Sequence, residues 1–197
     1  LSSEKLKILT PLNFVCTHTR DPEYLRSFDS NQDWSYHDYR DDDYLKLIPT
    51  VEMLNGLVLP VVRMGNAKRK IDDHYFSQNH IDFYDQTKDG SDDIILCSNC
   101  LFYIGDTSGL ALVPPLFGRP VVRYNNIPIF NSFPYRTLMI PMLIKDLKNG
   151  ELVPFRKLWE LKKNGLEFYN GHSYEDFGLQ FVKNSATEIA EVSLEMK

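Results

Sequence analysis

Residues 101–124 read LFYIGDTSGLALVPPLFGRPVVRY, and this stretch decides the fold. The apolar run at 101–105 (LFYIG) has the length of a buried strand and stops at a glycine. A second run at 120–124 (PVVRY) is rich in β-branched and aromatic residues. Between them, 107–117 is short and apolar and ends at Gly118, the pattern of a helix despite Pro114 and Pro115. A strand, a helix and a second strand in such close succession form a crossover unit. That unit sets its two strands parallel and covers one face of their sheet.

The same alternation extends outward in both directions. Strands are predicted at 12–19 (LNFVCTHT), 57–63 (LVLPVVR), 80–84 and 179–183 (LQFVK). Pro60 favours an edge or a bulge for the second of these. Helices are predicted at 44–55, where Leu47, Ile48, Val51 and Leu54 form one stripe before Gly56, at 92–100 and at 155–164. A last helix, 185–196, opens with a capping box of Ser185 and Glu188 and turns Ile189, Val192 and Met196 inward. The expected fold is α/β: a doubly wound, mostly parallel Rossmann-like sheet with helices on both faces, in one domain spanning 1–197. Two connections, 20–43 and 125–150, exceed the roughly 12–15 residues that plain loops reach. Both leave the carboxyl ends of strands, where open α/β sheets bind ligands.

Composition narrows the function classes. With 43% hydrophobic and 25% charged residues, the chain has the balance of a globular protein. A net charge of −5 argues against a nucleic-acid partner, which calls for a basic face. No apolar run approaches the ~20 residues of a membrane-spanning helix, so no integral membrane segment is expected. Three cysteines cannot build a disulfide framework, and Leu1 opens no secretory leader, so a cytoplasmic setting is expected. The non-methionine start reads as a processed or excised piece.

Several constellations can carry chemistry. Arg20, in Thr17-His18-Thr19-Arg20-Asp21, leaves the first strand and can aim a planar fork of donors at a diphosphate, with Asp21 orienting the fork. A strand-end arginine can equally pair with a surface carboxylate. Gly105-Asp106-Thr107-Ser108-Gly109 lets backbone N–H groups approach an anion, or forms an ordinary helix cap. Arg63 and Gly65 close the second strand, and Arg40 can reach the site from the long connection. Asp41-x-Asp43 has the form of a metal-binding motif but follows polar residues, so it reads as a solvated acidic turn that caps the next helix. Cys97-x-x-Cys100 lacks partners at zinc spacing and reads as buried thiols; no metal site is expected.

The ordered series FVCTHTRD, YRDDDY, GLVLPVVRMG, LFYIGDTSGLALVPPLFGRPVV and GLQFVKNSATEIAEVSLEM resembles a bacterial glycosyltransferase family linked to surface-polysaccharide synthesis. That family looks like the C-terminal, donor-binding half of a GT-B glycosyltransferase. The resemblance implies transfer of a sugar from a nucleotide diphosphate sugar to a glycan or polysaccharide-precursor acceptor, without a cofactor or metal. It makes Arg20 the diphosphate clamp and Thr107, Ser108 and Gly109 the donors at the helix terminus. Arg40, Arg63, Gly65 and Asp106 line the cleft, and Asp21 and His18 are the candidate catalytic bases. It also implies that an acceptor domain is missing from this chain. The competing reading is a non-catalytic α/β module that binds a sugar phosphate, or a partner through the aromatic connection 24–44. A third is a structural domain whose motifs are plain caps and turns.

Overall fold

The structure, a computed structural model, describes residues 9–65, 70–83, 90–127 and 136–197. Its elements run β1 (Val15–His18), α1 (Pro22–Phe28), α2 (Ile48–Gly56), β2 (Val61–Arg63), β3 (His80–Asp82), α3 (Ser91–Asn99), β4 (Phe102–Gly105), α4 (Val113–Leu116), β5 (Val121–Asn126), β6 (Thr137–Pro141), β7 (Leu143–Asp146), α5 (Phe155–Lys163), α6 (Gly171–Asp176), β8 (Leu179–Val182) and α7 (Ala186–Glu195). Short 3-10 turns stand at Ser35–Arg40, Tyr44–Leu47 and Leu110–Leu112.

Six strands form one sheet in the order β3-β2-β1-β4-β5-β6, and each neighbouring pair is parallel. This is the Rossmann order, in which the chain reverses direction of travel between β1 and β4 and opens a crevice there. Side chains alternate between the faces, as a period of two requires. Phe14, Cys16, Val62 and Tyr103 pack with Leu96 and Cys97 of α3 on one face. Val15, Val61, Phe102, Ile104 and Val122 pack with Leu47, Val51, Leu54 and Ile189 on the other, where α2 meets α7. Both faces are covered, so the strands are apolar almost throughout. The capping box of α7 forms as expected: Ser185 accepts from the Glu188 N–H, and the Glu188 carboxylate accepts from Ser185.

Four expectations need correction. Pro60 marks neither an edge nor a bulge: β2 starts one residue later and lies between β1 and β3, and the Pro60 carbonyl accepts from Val15 at 2.9 Å. The run at 179–183 does not extend the parallel sheet. As β8 it pairs antiparallel with β7 over a third cluster that includes Ile144, Leu158, Phe168 and Tyr174. The connection 20–43 holds α1 and the turn Ser35–Arg40, and 125–150 holds β6 and β7. Asp21 caps α1, accepting from the Glu23 N–H at 2.8 Å, and Pro22 occupies the first helical turn, where its missing N–H costs nothing. Tyr84, at the end of the expected third strand, lies outside the described residues. Among the described residues no helix is long and apolar enough to cross a membrane.

One buried junction ties the small sheet to the large one. Asn125, at φ 47° inside an irregularity of β5, exchanges backbone-to-side-chain hydrogen bonds with Asn184 at 2.6 and 2.7 Å. Its amide also donates to Asp42 at 2.6 Å. Asparagine tolerates this left-handed backbone better than most residues. Asn125→Ala should therefore lower unfolding free energy by at least about 2 kcal/mol, since it strands buried partners on three segments. Urea titration measures this, and a change within about 0.5 kcal/mol contradicts it.

Candidate functional site

The crevice at the carboxyl ends of β1 and β4 is built from residues that leave those strands side by side. His18 pairs with Gly105 in register, so Thr19-Arg20 and Asp106-Thr107 emerge as neighbours. Asp106 is fully buried, and one of its carboxylate oxygens accepts from the Arg20 backbone N–H at 2.7 Å. Its other oxygen, and the nearby Thr107 hydroxyl, have no hydrogen-bond partner among the described residues. Burial pushes the Asp106 carboxyl up to about 7, against the pull of the Arg20 N–H bond. The two strand-end segments thus meet through the backbone of Arg20 and the side chain of Asp106.

The Arg20 guanidinium takes a different partner from the one expected. Asp21 is committed to the α1 cap, and Arg20 Nε instead donates to Asp41 at 2.8 Å in a largely buried ion pair. Asp42 and Asp43 are anchored as well. Asp42, with its side chain only 3% exposed, pairs with Lys46 at 2.8 Å and lies 3.9 Å from the Lys183 ammonium, which also donates to the Asp41 carbonyl. Asp43 caps the turn Tyr44–Leu47 through the Leu45 N–H. The acidic run caps the next helical segment as expected, but it is an interior latch rather than a solvated turn.

Arg63 reaches the same cleft from β2. It is 4% exposed, pairs with Asp82 at 3.3 Å and lies over the Tyr44 ring at 4.9 Å from the centroid. Tyr44 is itself fixed, its hydroxyl 2.7 Å from the Thr17 hydroxyl and 3.0 Å from His80 Nε2. His80 Nδ1 donates to the Tyr75 carbonyl at 2.8 Å, and burial lowers its ring to about 4. Thr19, Arg20, Asp42, Tyr44 and Arg63 line a cleft of about 20 Å³, room for a single water.

Gly65 lies just past β2 at φ +95°, and a Cβ there would stand 2.4 Å from His18 Cδ2. Only glycine admits the His18 ring against that backbone. Burial and the neighbouring Arg63 and Arg20 lower His18 to about 4, and its Nδ1 has no partner among the described residues. Arg40 ends the turn Ser35–Arg40, where it contacts His37 and sits 5.5 Å from the Tyr39 centroid. Thr107 is buried, and Gly109 is exposed as the cap of the turn Leu110–Leu112. That turn and α4 make a shorter helical segment than the 107–117 helix expected. The cleft around Arg20 and Arg63 does not include Thr107, Ser108 or Gly109. Cys16, Cys97 and Cys100 are buried free thiols.

Sequence reading missed Asp41, Asn125 and Lys183 as builders of the site. Asn125 and Lys183 lie at strand ends that meet only in the fold, and no spacing connects them.

The buried histidines and Asp106 shape the acid response in opposite senses. His18 and His80 have depressed values when folded, so near pH 5.5 the unfolded chain holds more protons and stability falls with falling pH. Asp106 is raised to about 7, so there the folded chain holds the extra proton and the slope is reduced. Asp106→Asn, which keeps the acceptor for Arg20, should therefore steepen the loss of unfolding free energy by about 1.4 kcal/mol per pH unit between pH 6 and 5. Denaturant titrations across that range measure it, and parallel slopes contradict a protonated Asp106.

No protein-family model matches the chain, and no curated protein sequence does. Solved structures do. A glycosyl transferase family 9 protein from Veillonella parvula superposes with a TM-score of 0.56 at 12% identity, over 95% of this chain and 47% of that one. ADP-heptose lipopolysaccharide heptosyltransferase II of E. coli superposes with a TM-score of 0.47 at 16% identity, over 69% of this chain and 40% of that one. This chain spans less than half the length of either. At such identities the likeness is one of fold: a six-stranded parallel Rossmann-like sheet like one half of a GT-B glycosyltransferase.

Proposed function

We propose that this chain is the donor-binding part of a glycosyltransferase that transfers a sugar from a nucleotide diphosphate sugar to a glycan or polysaccharide-precursor acceptor. The observation that supports the reading is the pair of arginines, Arg20 and Arg63, lining one cleft at the carboxyl ends of β1 and β2, neighbouring strands of a Rossmann-ordered sheet. Open α/β sheets bind ligands outside the carboxyl ends of their strands, and guanidinium forks match phosphate oxygens. The fold match to a glycosyl transferase family 9 protein supports the same reading.

In this reading the cleft is closed without a ligand, because Asp41 holds the Arg20 guanidinium. A diphosphate displaces Asp41, takes the Arg20 fork and reaches out of the cleft toward the backbone of Thr107 and Gly109, the Ser108 N–H between them donating to the Asp106 carbonyl at 2.9 Å. Arg20 and Arg63 then stabilise the negative charge that develops on the departing diphosphate. Of the two candidate bases, His18 is neutral at pH 7 and its Nδ1 has no partner among the described residues, whereas Asp21 is engaged as a helix cap. Arg40 and Gly65 lie outside the residues that line the cleft. The acceptor domain would come from sequence beyond this chain.

Calorimetric titration with a panel of nucleoside diphosphates tests the proposal. Arg20→Ala should weaken binding about 10- to 150-fold, the worth of a charge-assisted contact of roughly 1.5–3 kcal/mol. Asp41→Asn, which removes the competing charge, should tighten it. Absence of heat with every nucleotide, or equal affinities in all three proteins, contradicts the reading.

A further inference from the structure

A second concavity lies away from the arginine cleft, between the turn Ser35–Arg40 and residues 162–170. It is an open groove of about 610 Å³, within the range of small-molecule sites. Its walls carry Tyr36, Lys162, Glu167, Phe168, Tyr169 and Asn170. Tyr169 is 56% exposed, and Trp159, 45% exposed, stands beside the groove with the Lys162 ammonium 4.8 Å from its ring centroid.

The groove is preformed. The Ser35 hydroxyl meets His172 Nε2 at 2.8 Å, and a Cβ on Gly171 would lie 2.9 Å from the Tyr39 ring, so the two walls are in direct contact. Tyr39 in turn stacks on Phe181 at 4.6 Å. On the other wall the Glu167 N–H donates to the Ser173 hydroxyl at 2.9 Å, and the Asn170 amide donates to the Glu167 carboxylate at 3.1 Å. The two walls, and the Glu167–Asn170 pair on one of them, are therefore held in place before a ligand enters.

The lining selects the chemistry of the guest. One cation, one carboxylate and one amide stand around aromatic rings, so no single charge sign is favoured and a phosphate or a polybasic peptide is matched poorly. A bare lipid chain would leave those polar groups without partners. An uncharged pyranose fits both demands: its C–H face lies on an aromatic ring, and its hydroxyls both donate and accept around the rim. We propose that this groove binds a neutral glycan chain through stacking on Tyr36 and Tyr169, with Glu167 and Asn170 reading the hydroxyls. The turn that carries Tyr36 also carries Arg40 and leads into Asp41, the partner of Arg20. The glycan thus occupies one end of the segment whose other end latches the cleft. Its role as the acceptor rests on the transfer reading above; the binding itself does not.

Retention of the chain on an array of uncharged bacterial capsule and O-chain oligosaccharides tests this, followed by saturation-transfer NMR with a retained member. Tyr169→Ala and Tyr36→Ala should each weaken retention about three- to tenfold, the worth of one aromatic stack. Tyr169 is exposed, so its variant keeps the fold, which circular dichroism verifies. Failure to retain any neutral oligosaccharide, equal retention by the Tyr36/Tyr169 double variant, or displacement by a free nucleoside overturns the proposal. Glycan retention without nucleotide heat leaves the groove standing and removes the donor reading; the converse result does the reverse.

Discussion

A single hydrogen bond, from the backbone of Arg20 to the buried carboxyl of Asp106, joins the two strand ends on which everything else depends. Parallel pairing brings β1 and β4 together but does not say where the chain goes once the ladder stops. Asp106 fixes that direction. It costs burial of a carboxyl, and the cost shows as a value raised to about 7. A carboxyl at that value can hold or release a proton near neutrality.

Around this contact the molecule is arranged as a latch. Asp41 and Asp42 sit between Arg20, Lys46, Lys183 and Asn125, so the segment after the turn Ser35–Arg40 is tied to β1, α7's leading strand β8 and β5 at once. Buried ion pairs of this kind contribute little net stability, but breaking one partner away is expensive. They specify position instead. On the donor-binding proposal, an incoming diphosphate supplies the compensating charge that lets Asp41 leave, and so opens a cleft that otherwise admits one water.

Much of this was legible in the sequence. The β-branched runs and the helical stripe of Leu47, Val51 and Leu54 gave the alternation, and doubly wound topology then required the ends of β1 and β4 to be close. The positions that escaped reading have physical reasons. β6 and β7 are partly exposed strands separated only by Met142, without the apolar continuity of the central strands, and Pro141 interrupts their pattern. The run 179–183 is as apolar as a sheet strand, and periodicity cannot say which sheet it joins. Asp21 looked like the partner of Arg20 because it is adjacent, yet its neighbour Pro22 starts a helix that needs a cap. Asp41 lies far along the chain, and only the fold brings it to the guanidinium.

The central claim of the donor-binding proposal is that one guest spans from the Arg20 cleft to the Thr107–Gly109 segment, which lies outside that cleft. A crystal structure of the chain soaked with a nucleoside diphosphate tests it most directly. The account predicts phosphate density on the Arg20 guanidinium, with Asp41 turned away and the second phosphate at the Thr107–Gly109 backbone. Density at a site remote from both groups, or an Arg20–Asp41 pair undisturbed beside a bound nucleotide, would contradict it.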